Sequence, residues 1–312
     1  MESVTCRRRP TPLLARVLLP AVLAVLLAVL LPVSPLAAQA VCSAPHSSPM
    51  LSQSGAIRTL EPGSGWIQLS GYAQNATESF NPEGTRQPFV TGAEFRTRSA
   101  FVTAAVGVAW GVELWAQVPI HDLSIEGPGN SSSGDGVGDL RFAARLGSDL
   151  VGLDVPVALR AGVKVPGSEF PVDARLLPLS EGQTDIEVSV DTGRSVGALP
   201  IYWVGWLGYR WRFENRTADR EPGDEWFAHA AVGGGVGRFS WEVGSDVLRG
   251  RAPRAQGFSL DNEQRRLFLL VPTVGYGVGP GRLEATVQYP ISGRNLPAAT
   301  GLSVGYRALW GF

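Results

Sequence analysis

Apolar and polar residues alternate with a period of two along most of the chain after residue 65. In the segment 184–192, Ile186, Val188 and Val190 alternate with residues that are acidic or serine. A period of two places successive side chains on opposite faces of a β-strand. The pattern therefore predicts a chain made mostly of strands that each have one apolar and one polar face.

About twelve segments fit this description, and glycine and proline residues are scattered between them as turn formers. The predicted strands cover approximately 65–75, 98–109, 112–121, 137–147, 155–165, 184–194, 201–213, 225–236, 239–249, 265–277, 281–291 and 300–312.

Short connections alternate with long polar ones along the predicted strands. The long loops lie at about 76–97, 122–136, 166–183, 214–224, 250–264 and 292–299. Short turns at one end and long loops at the other are typical of antiparallel barrels that cross a membrane. We therefore predict an all-β fold, a transmembrane antiparallel up-and-down β-barrel of about 12 strands. A soluble β-sandwich is the alternative, since it also alternates.

The last predicted strand alternates up to the C-terminal residue, with Leu302, Val304, Tyr306, Trp310 and Phe312 on one face. A closing strand in lipid needs an apolar outer face and full backbone pairing. The pattern resembles the C-terminal signal by which bacterial outer-membrane barrels are recognised for insertion, with aromatic residues at Tyr306, Trp310 and Phe312. The resemblance implies outer-membrane lipid and the barrel-assembly machinery as partners.

The N-terminus has the features of a secretory leader. A cationic group, Arg7 to Arg9, precedes an apolar stretch at about 13–31, and Ala38-Gln39-Ala40 forms a cleavage site. A membrane anchor is the alternative, because the apolar stretch is long enough to span. We predict a cleaved signal peptide at 1–40, a periplasmic segment at 41–64 and an outer-membrane barrel at 65–312.

Composition excludes several functions. Cleavage would leave Cys42 as the only cysteine, which rules out a disulfide framework and a CxxC zinc cluster. Lys164 is the only lysine and the chain has a net charge of −1, so no basic patch for nucleic acid is expected. We predict no cofactor and no metal site.

Aromatic residues cluster near the ends of the predicted strands. In a membrane barrel such residues form girdles at the lipid interfaces. The predicted girdle residues are Trp66, Trp110, Tyr202, Trp203, Trp211, Phe213, Trp226, Phe239, Trp241, Trp310 and Phe312.

If the apolar faces meet lipid, the polar faces line the interior. The predicted pore-lining residues are Glu113, Asp139, Arg141, Arg145, Arg160, Lys164, Asp185, Glu187, Asp191, Arg210, Arg212, Glu242, Arg282, Glu284 and Arg307. Cations on neighbouring strands face an acidic strand, so pairing is expected. Two interpretations stay open: the charges select a small solute, or they form a polar core. Twelve strands suggest a narrow or blocked pore.

Several segments resemble a known family. They are GVGDLRF at 136–142, GQTDIEV at 182–188, GRSVGALP at 193–200, GYRWR at 208–212 and NRTADREPGDE at 215–225. They are similar to the outer-membrane barrels grouped as transporters of the phenol meta-cleavage pathway, distant relatives of the long-chain fatty-acid channels. The resemblance implies passive uptake of small, often hydrophobic or aromatic compounds. The charged wall departs from a hydrophobic channel, and the chain lacks room for a large N-terminal plug.

The predicted function is an outer-membrane channel for small solutes, not an enzyme. The alternatives are a barrel phospholipase and a structural or adhesive barrel. A phospholipase needs a serine activated by a histidine. After cleavage His46, His121 and His229 remain, and none has the His-x-Ser-Asn-Gly context of that family.

Overall fold

The computed structural model describes residues 59–89, 92–127, 130–152, 156–171, 176–197 and 199–311. The predicted signal peptide, the N-terminal segment as far as residue 58 and the C-terminal Phe312 lie outside the described residues.

The wall is one antiparallel sheet of twelve strands, in which the fourth is interrupted at Gly138 and Asp139. The strands are β1 (Gly65–Ala76), β2 (Glu94–Ala109), β3 (Val112–Gly127), β4 (Asn130–Val137 and Leu140–Gly147), β5 (Val157–Val165), β6 (Asp185–Ser195), β7 (Ile201–Arg212), β8 (Glu225–Val236), β9 (Phe239–Gly250), β10 (Arg266–Val278), β11 (Gly281–Arg294) and β12 (Gly301–Trp310).

The first and last strands pair and close the sheet. The β1–β12 register runs from Gly65 opposite Trp310 to Gln74 opposite Gly301, and the other edge of β1 pairs with β2. Each strand thus has a partner on both sides, and the described wall has no free edge. Closure satisfies the backbone hydrogen bonds that an open sheet would leave unpaired in lipid.

The predicted strands are confirmed, but the predicted loop at 122–136 is wrong. There β3 continues to Gly127 and β4 begins at Asn130, with Asp122 opposite Asp135 and Ser124 opposite Ser133. In β3 the apolar residues change face at Asp122, since Ile120 is exposed whereas Leu123 and Ile125 pack with Phe95 inside the barrel. Residues 130–136 are polar or glycine. One continuous period-two pattern therefore does not run through the hairpin, and the sequence did not reveal it.

Long and short connections lie at opposite ends of the barrel, which we call the loop end and the turn end. At the loop end the connections pair with each other in two small sheets. One combines Glu78–Phe80, Arg86–Pro88 and Leu296–Pro297, and the other combines Arg220–Glu221, Arg254–Ala255 and Phe258–Ser259. The part of the chain that the structure describes has no helix long and apolar enough to cross a membrane.

The strand faces alternate as predicted. Leu69, Leu207 and Val304 point outward and are 61%, 56% and 56% exposed. Trp66 and Tyr202, which we predicted as girdle residues, are only 6% and 9% exposed and lie inside the barrel. They share strand faces with inward polar residues, so the face and not the position near a strand end decides their orientation.

Gly301 provides a test of the β1–β12 seam. A side chain at this position would overlap the ring of Tyr72, whereas at the outward-facing Gly71 the nearest atom to an added Cβ is 4.0 Å away. We expect Gly301→Val to lower the free energy of unfolding by about 1–3 kcal/mol through overpacking. Gly71→Val is the matched control and should lower the free energy of unfolding by less. Urea unfolding of the refolded protein in detergent measures both, and equal costs would contradict this account of the seam.

Candidate functional site

The fifteen predicted pore-lining residues all lie on the inner side of the barrel, and none has an exposed side chain. Eleven of them, from Glu113 on β3 to Arg212 on β7, form ion pairs on one side of the lumen. The other four, Glu242, Arg282, Glu284 and Arg307, lie on the opposite side. We call the larger set, together with Glu181, Glu225 and Arg265, the ion-pair network. A role of these residues in solute passage stays a prediction.

Toward the turn end, Arg145 joins two carboxylates from different strands. Its guanidinium is 3.4 Å from Glu113 and 3.2 Å from Asp191. Arg160 approaches the other oxygen of Asp191 at 3.8 Å and donates a hydrogen bond of 3.0 Å to Ser189. The contacts connect β3, β4, β5 and β6 through side chains inside the barrel.

Toward the loop end, Lys164 is surrounded by three carboxylates. Its Nζ lies 3.1 Å from Asp139, 2.5 Å from Glu181 and 3.1 Å from Asp185. The side chain is 1% exposed. Asp139 lies at the interruption of β4, so the break in the strand contributes one of the three carboxylates around Lys164.

Two arginines of β7 extend the group. Arg210 contacts Glu187 at 3.0 Å and Glu225 at 2.9 Å. Arg212 contacts Glu181 at 2.6 Å and Glu225 at 3.2 Å. Because each arginine joins carboxylates from separate elements, loss of one would loosen several contacts.

Glu181, Glu225 and Arg265 are absent from the predicted pore-lining residues. Arg265 pairs with Glu225 and lies 3.6 Å from Glu181. Glu225 and Arg265 are the first residues of predicted strands, on the faces that carry His229 and Thr273, so the alternation could have revealed both. Glu181 lies in a connection, where no periodic pattern reports which way a side chain points.

The connection between β5 and β6 turns inward at residues 176–184. The hydroxyl of Ser180 donates to Asp139 at 2.5 Å, and the backbone N–H of Glu181 donates to the same carboxylate at 3.3 Å. Asn215 donates from its side chain to the carbonyl of Glu181 at 3.0 Å. This segment, which we call the inner loop, therefore covers part of the loop end.

The charge of Glu181 attaches the inner loop to the wall. Burial alone would raise the pKa of this carboxyl, but the charges of Arg212, Lys164 and Arg265 lower its pKa well below the usual range. Glu181 thus stays ionised at neutral pH and keeps its ion pairs.

The ion-pair network is formally neutral. Within the described chain, seven cations meet seven carboxylates: Arg141, Arg145, Arg160, Lys164, Arg210, Arg212 and Arg265 with Glu113, Asp139, Glu181, Asp185, Glu187, Asp191 and Glu225. Charges removed from water require such pairing.

The opposite side of the lumen is different in character. Its inward positions on β9–β12, β1 and β2 are mostly uncharged, and small residues such as Ser70, Thr103, Thr273 and Gly305 lie there beside the buried rings of Trp66, Tyr72, Phe95 and Phe101. Charges are fewer there: Arg307 lies 3.3 Å from Glu284, and Tyr202 donates to Glu242 at 2.9 Å. The lumen thus has a side filled by ion pairs and a side lined mostly by uncharged residues, which we call the neutral wall.

His229 lies inside the barrel. Its ring stacks on Trp206 with centroids 3.9 Å apart, and Nδ1 is 2.7 Å from Asp246. The guanidinium of Arg160 lies 5.8 Å from the Trp206 ring centre. Among the described residues no group of three His, Cys, Asp or Glu side chains is arranged to hold a metal ion.

His121 makes a contact that the sequence analysis did not foresee. Its Nδ1 is 2.7 Å from the hydroxyl of Ser99 on the facing strand. A serine beside a histidine is the first requirement of a serine nucleophile. No described residue has a hydrogen bond to Nε2 of this histidine that would orient the ring as in a triad.

The closed wall, the apolar outer face and the polar lumen define a bacterial outer-membrane β-barrel. Residues 71–306 match the family described as "Putative MetA-pathway of phenol degradation". Because the match covers most of the chain, the protein belongs to this family. A comparison with curated protein sequences finds no match.

A solved structure shows the same fold. An outer-membrane channel from Pseudomonas putida F1 is 14% identical with a TM-score of 0.65, and the alignment covers 82% of this chain and 98% of that chain. The translocator domain of the autotransporter NalP from Neisseria meningitidis is 11% identical with a TM-score of 0.46, covering 82% of this chain and 91% of that chain.

Lys164 tests whether the ion-pair network stabilises the barrel. We expect Lys164→Met to lower the free energy of unfolding by roughly 3–5 kcal/mol, because three buried carboxylates lose their shared cation. Arg194, on β6, has an exposed side chain. Arg194→Met is the control and should change stability by less than about 0.5 kcal/mol. Urea unfolding in detergent compares them, and a stable Lys164→Met protein would show that the network is dispensable.

Proposed function

We propose that the protein is an outer-membrane channel for passive passage of small solutes, and that solutes move along the neutral wall. The observation that carries the proposal is the uneven lumen, in which ion pairs fill one side and mostly uncharged residues line the other. An eight-stranded barrel is roughly filled by its side chains, whereas 16–18 strands leave a water channel. With twelve strands, we infer that a passage follows the side that the ion pairs do not fill.

The ion-pair network supports this division of roles. Lys164 is 1% exposed and Arg145 is 1% exposed, so neither is accessible to a solute in the described conformation. Since the network is also formally neutral, it produces little net field of its own. We infer that most of the predicted pore-lining charges serve as a polar core, while Arg282 and its neighbours contact the passage.

The inner loop narrows the entrance to the barrel. In outer-membrane barrels the long loops are extracellular, so a solute meets the loop end first. There the inner loop is held over the network side by Glu181 and Ser180, and its Leu177 packs with Ala76 and Phe95 at the loop end of β1 and β2. A solute that moves along the neutral wall therefore passes beside this segment.

Single-channel conductance of the refolded protein in a planar bilayer, in potassium chloride, tests the proposal directly. Discrete current steps are expected. A correctly folded barrel without any steps would contradict an open water-filled channel.

Arg282 offers a sharper test, because it faces inward beside the neutral wall with a side chain 17% exposed. We expect Arg282→Gln to shift ion selectivity toward cations, since one positive charge leaves the passage. Arg249 faces outward, and Arg249→Gln is the matched control that should leave selectivity unchanged. Reversal potentials in a salt gradient measure both. Identical potentials for all three proteins would place the passage elsewhere.

A lipid hydrolase is the second candidate, favoured only by the contact between Ser99 and His121. Under the channel proposal, the purified protein releases no fatty acid from mixed phospholipid–detergent micelles. Hydrolysis that disappears in Ser99→Ala but persists in Ser303→Ala would instead establish an enzyme. Titration of released fatty acid measures the outcome.

A further inference from the structure

A cavity of about 320 Å³ lies at the loop end, above the ion-pair network. Its floor includes Glu181, Arg212 and Glu225 of the network, and its sides come from the connections that follow β7 and β9. Its volume falls at the lower limit of the range for small-molecule sites, roughly 300–1,000 Å³.

The carboxylates that line the cavity are already matched by cations. Glu181 and Glu225 belong to the neutral network, and Glu263 pairs with Arg220 at 2.5 Å. A cation would therefore find no available negative charge. The lining offers no obvious place for a metal ion or an amine.

Arg251 carries a positive charge that no carboxylate of the cavity lining balances. It lines the cavity with an exposed side chain, and among the described residues its guanidinium makes no ion pair. Its backbone N–H donates to the carbonyl of Asp224 at 2.8 Å. Gly223 lies against the backbone carbonyl of Arg251 and leaves no space there for a side chain. These contacts fix the backbone of Arg251 at the edge of the cavity.

The rest of the lining supplies an apolar surface and a buried amide. Phe170 and Leu296 are 5% and 9% exposed and line the cavity with Pro222 and Pro253. Gln183 donates to Asp185 at 3.3 Å, but its Oε1 accepts no hydrogen bond from the described residues. An apolar surface beside one unmatched cation suits an amphipathic anion.

We propose that this cavity binds a small organic monocarboxylate, with the carboxylate at Arg251 and the apolar body against Phe170 and Leu296. Arginine binds carboxylates through two parallel hydrogen bonds, which gives both strength and orientation. One unmatched cation selects a single negative charge and not a dianion. The inference deepens the proposed channel, since binding at the loop end would be the first step of uptake.

The test is titration calorimetry of the refolded full barrel in a detergent with neutral headgroups. Benzoate is the probe, benzamide is its uncharged counterpart and acetate lacks the apolar body. We expect saturable benzoate binding and at least roughly tenfold weaker binding of the other two, because each lacks one of the two contacts. Equal affinity for benzoate and benzamide, or no benzoate binding at millimolar concentration, would overturn the proposal.

Variants of Arg251 test whether benzoate binds in this cavity. Arg251→Gln should weaken benzoate binding by roughly tenfold or more, and Arg251→Lys should restore part of it. Arg254 lies in the same connection but does not line the cavity, so Arg254→Gln is the matched control with unchanged affinity. Unchanged binding in a folded Arg251→Gln protein would place the ligand elsewhere and refute the assignment.

Binding and conductance separate the two proposals. Benzoate binding that needs Arg251, without current steps in the bilayer, would support the site and contradict the open channel. Current steps without benzoate binding would support the channel and contradict the site.

Discussion

The interior of this barrel depends on the requirement that a charge enclosed by protein has a partner of opposite sign. Taking an unpaired ion out of water costs several kcal/mol, and good geometry with a counter-ion is needed to offset it. Here seven cations and seven carboxylates meet on one side of the lumen, and Lys164 alone contacts three acidic side chains. The pairing connects strands that are not neighbours in the wall. The paired side chains fill part of the space that the twelve strands enclose.

The same requirement shapes the loop end. Glu181 belongs to a connection and not to the wall, but it contacts Lys164 and Arg212 inside the barrel. Its charge completes the network and at the same time holds the inner loop in place. A connection that carried a neutral residue here would leave wall cations unmatched. The same contacts therefore fix the position of the inner loop and stabilise the ion-pair network.

The division of the lumen follows from where the charges are concentrated. Strands β3 to β8 carry most of the inward charge, whereas the inward positions of β9 to β12, β1 and β2 are mostly uncharged and include both small residues and aromatic rings. The passage that we propose follows this side because the ion pairs fill the other. Above the network, Arg251 supplies the positive charge that the paired residues do not. Attraction of an anion at the entrance can thus coexist with a passage of low net charge.

The alternation of side chains by itself determined the twelve strands and the shared face of the charged residues, while the loop lengths and the C-terminal aromatic residues indicated a membrane barrel. The alternation is local, because the direction of a strand side chain depends only on its position in a period of two. The hairpin of β3 and β4 escaped, since its apolar residues change face at Asp122 and residues 130–136 are polar or glycine. Only the tertiary structure decided which cation meets which carboxylate, that Glu181 enters the interior, and that Ser99 lies beside His121. These contacts join residues far apart in the sequence, and they depend on strand register and loop packing, which no local pattern encodes.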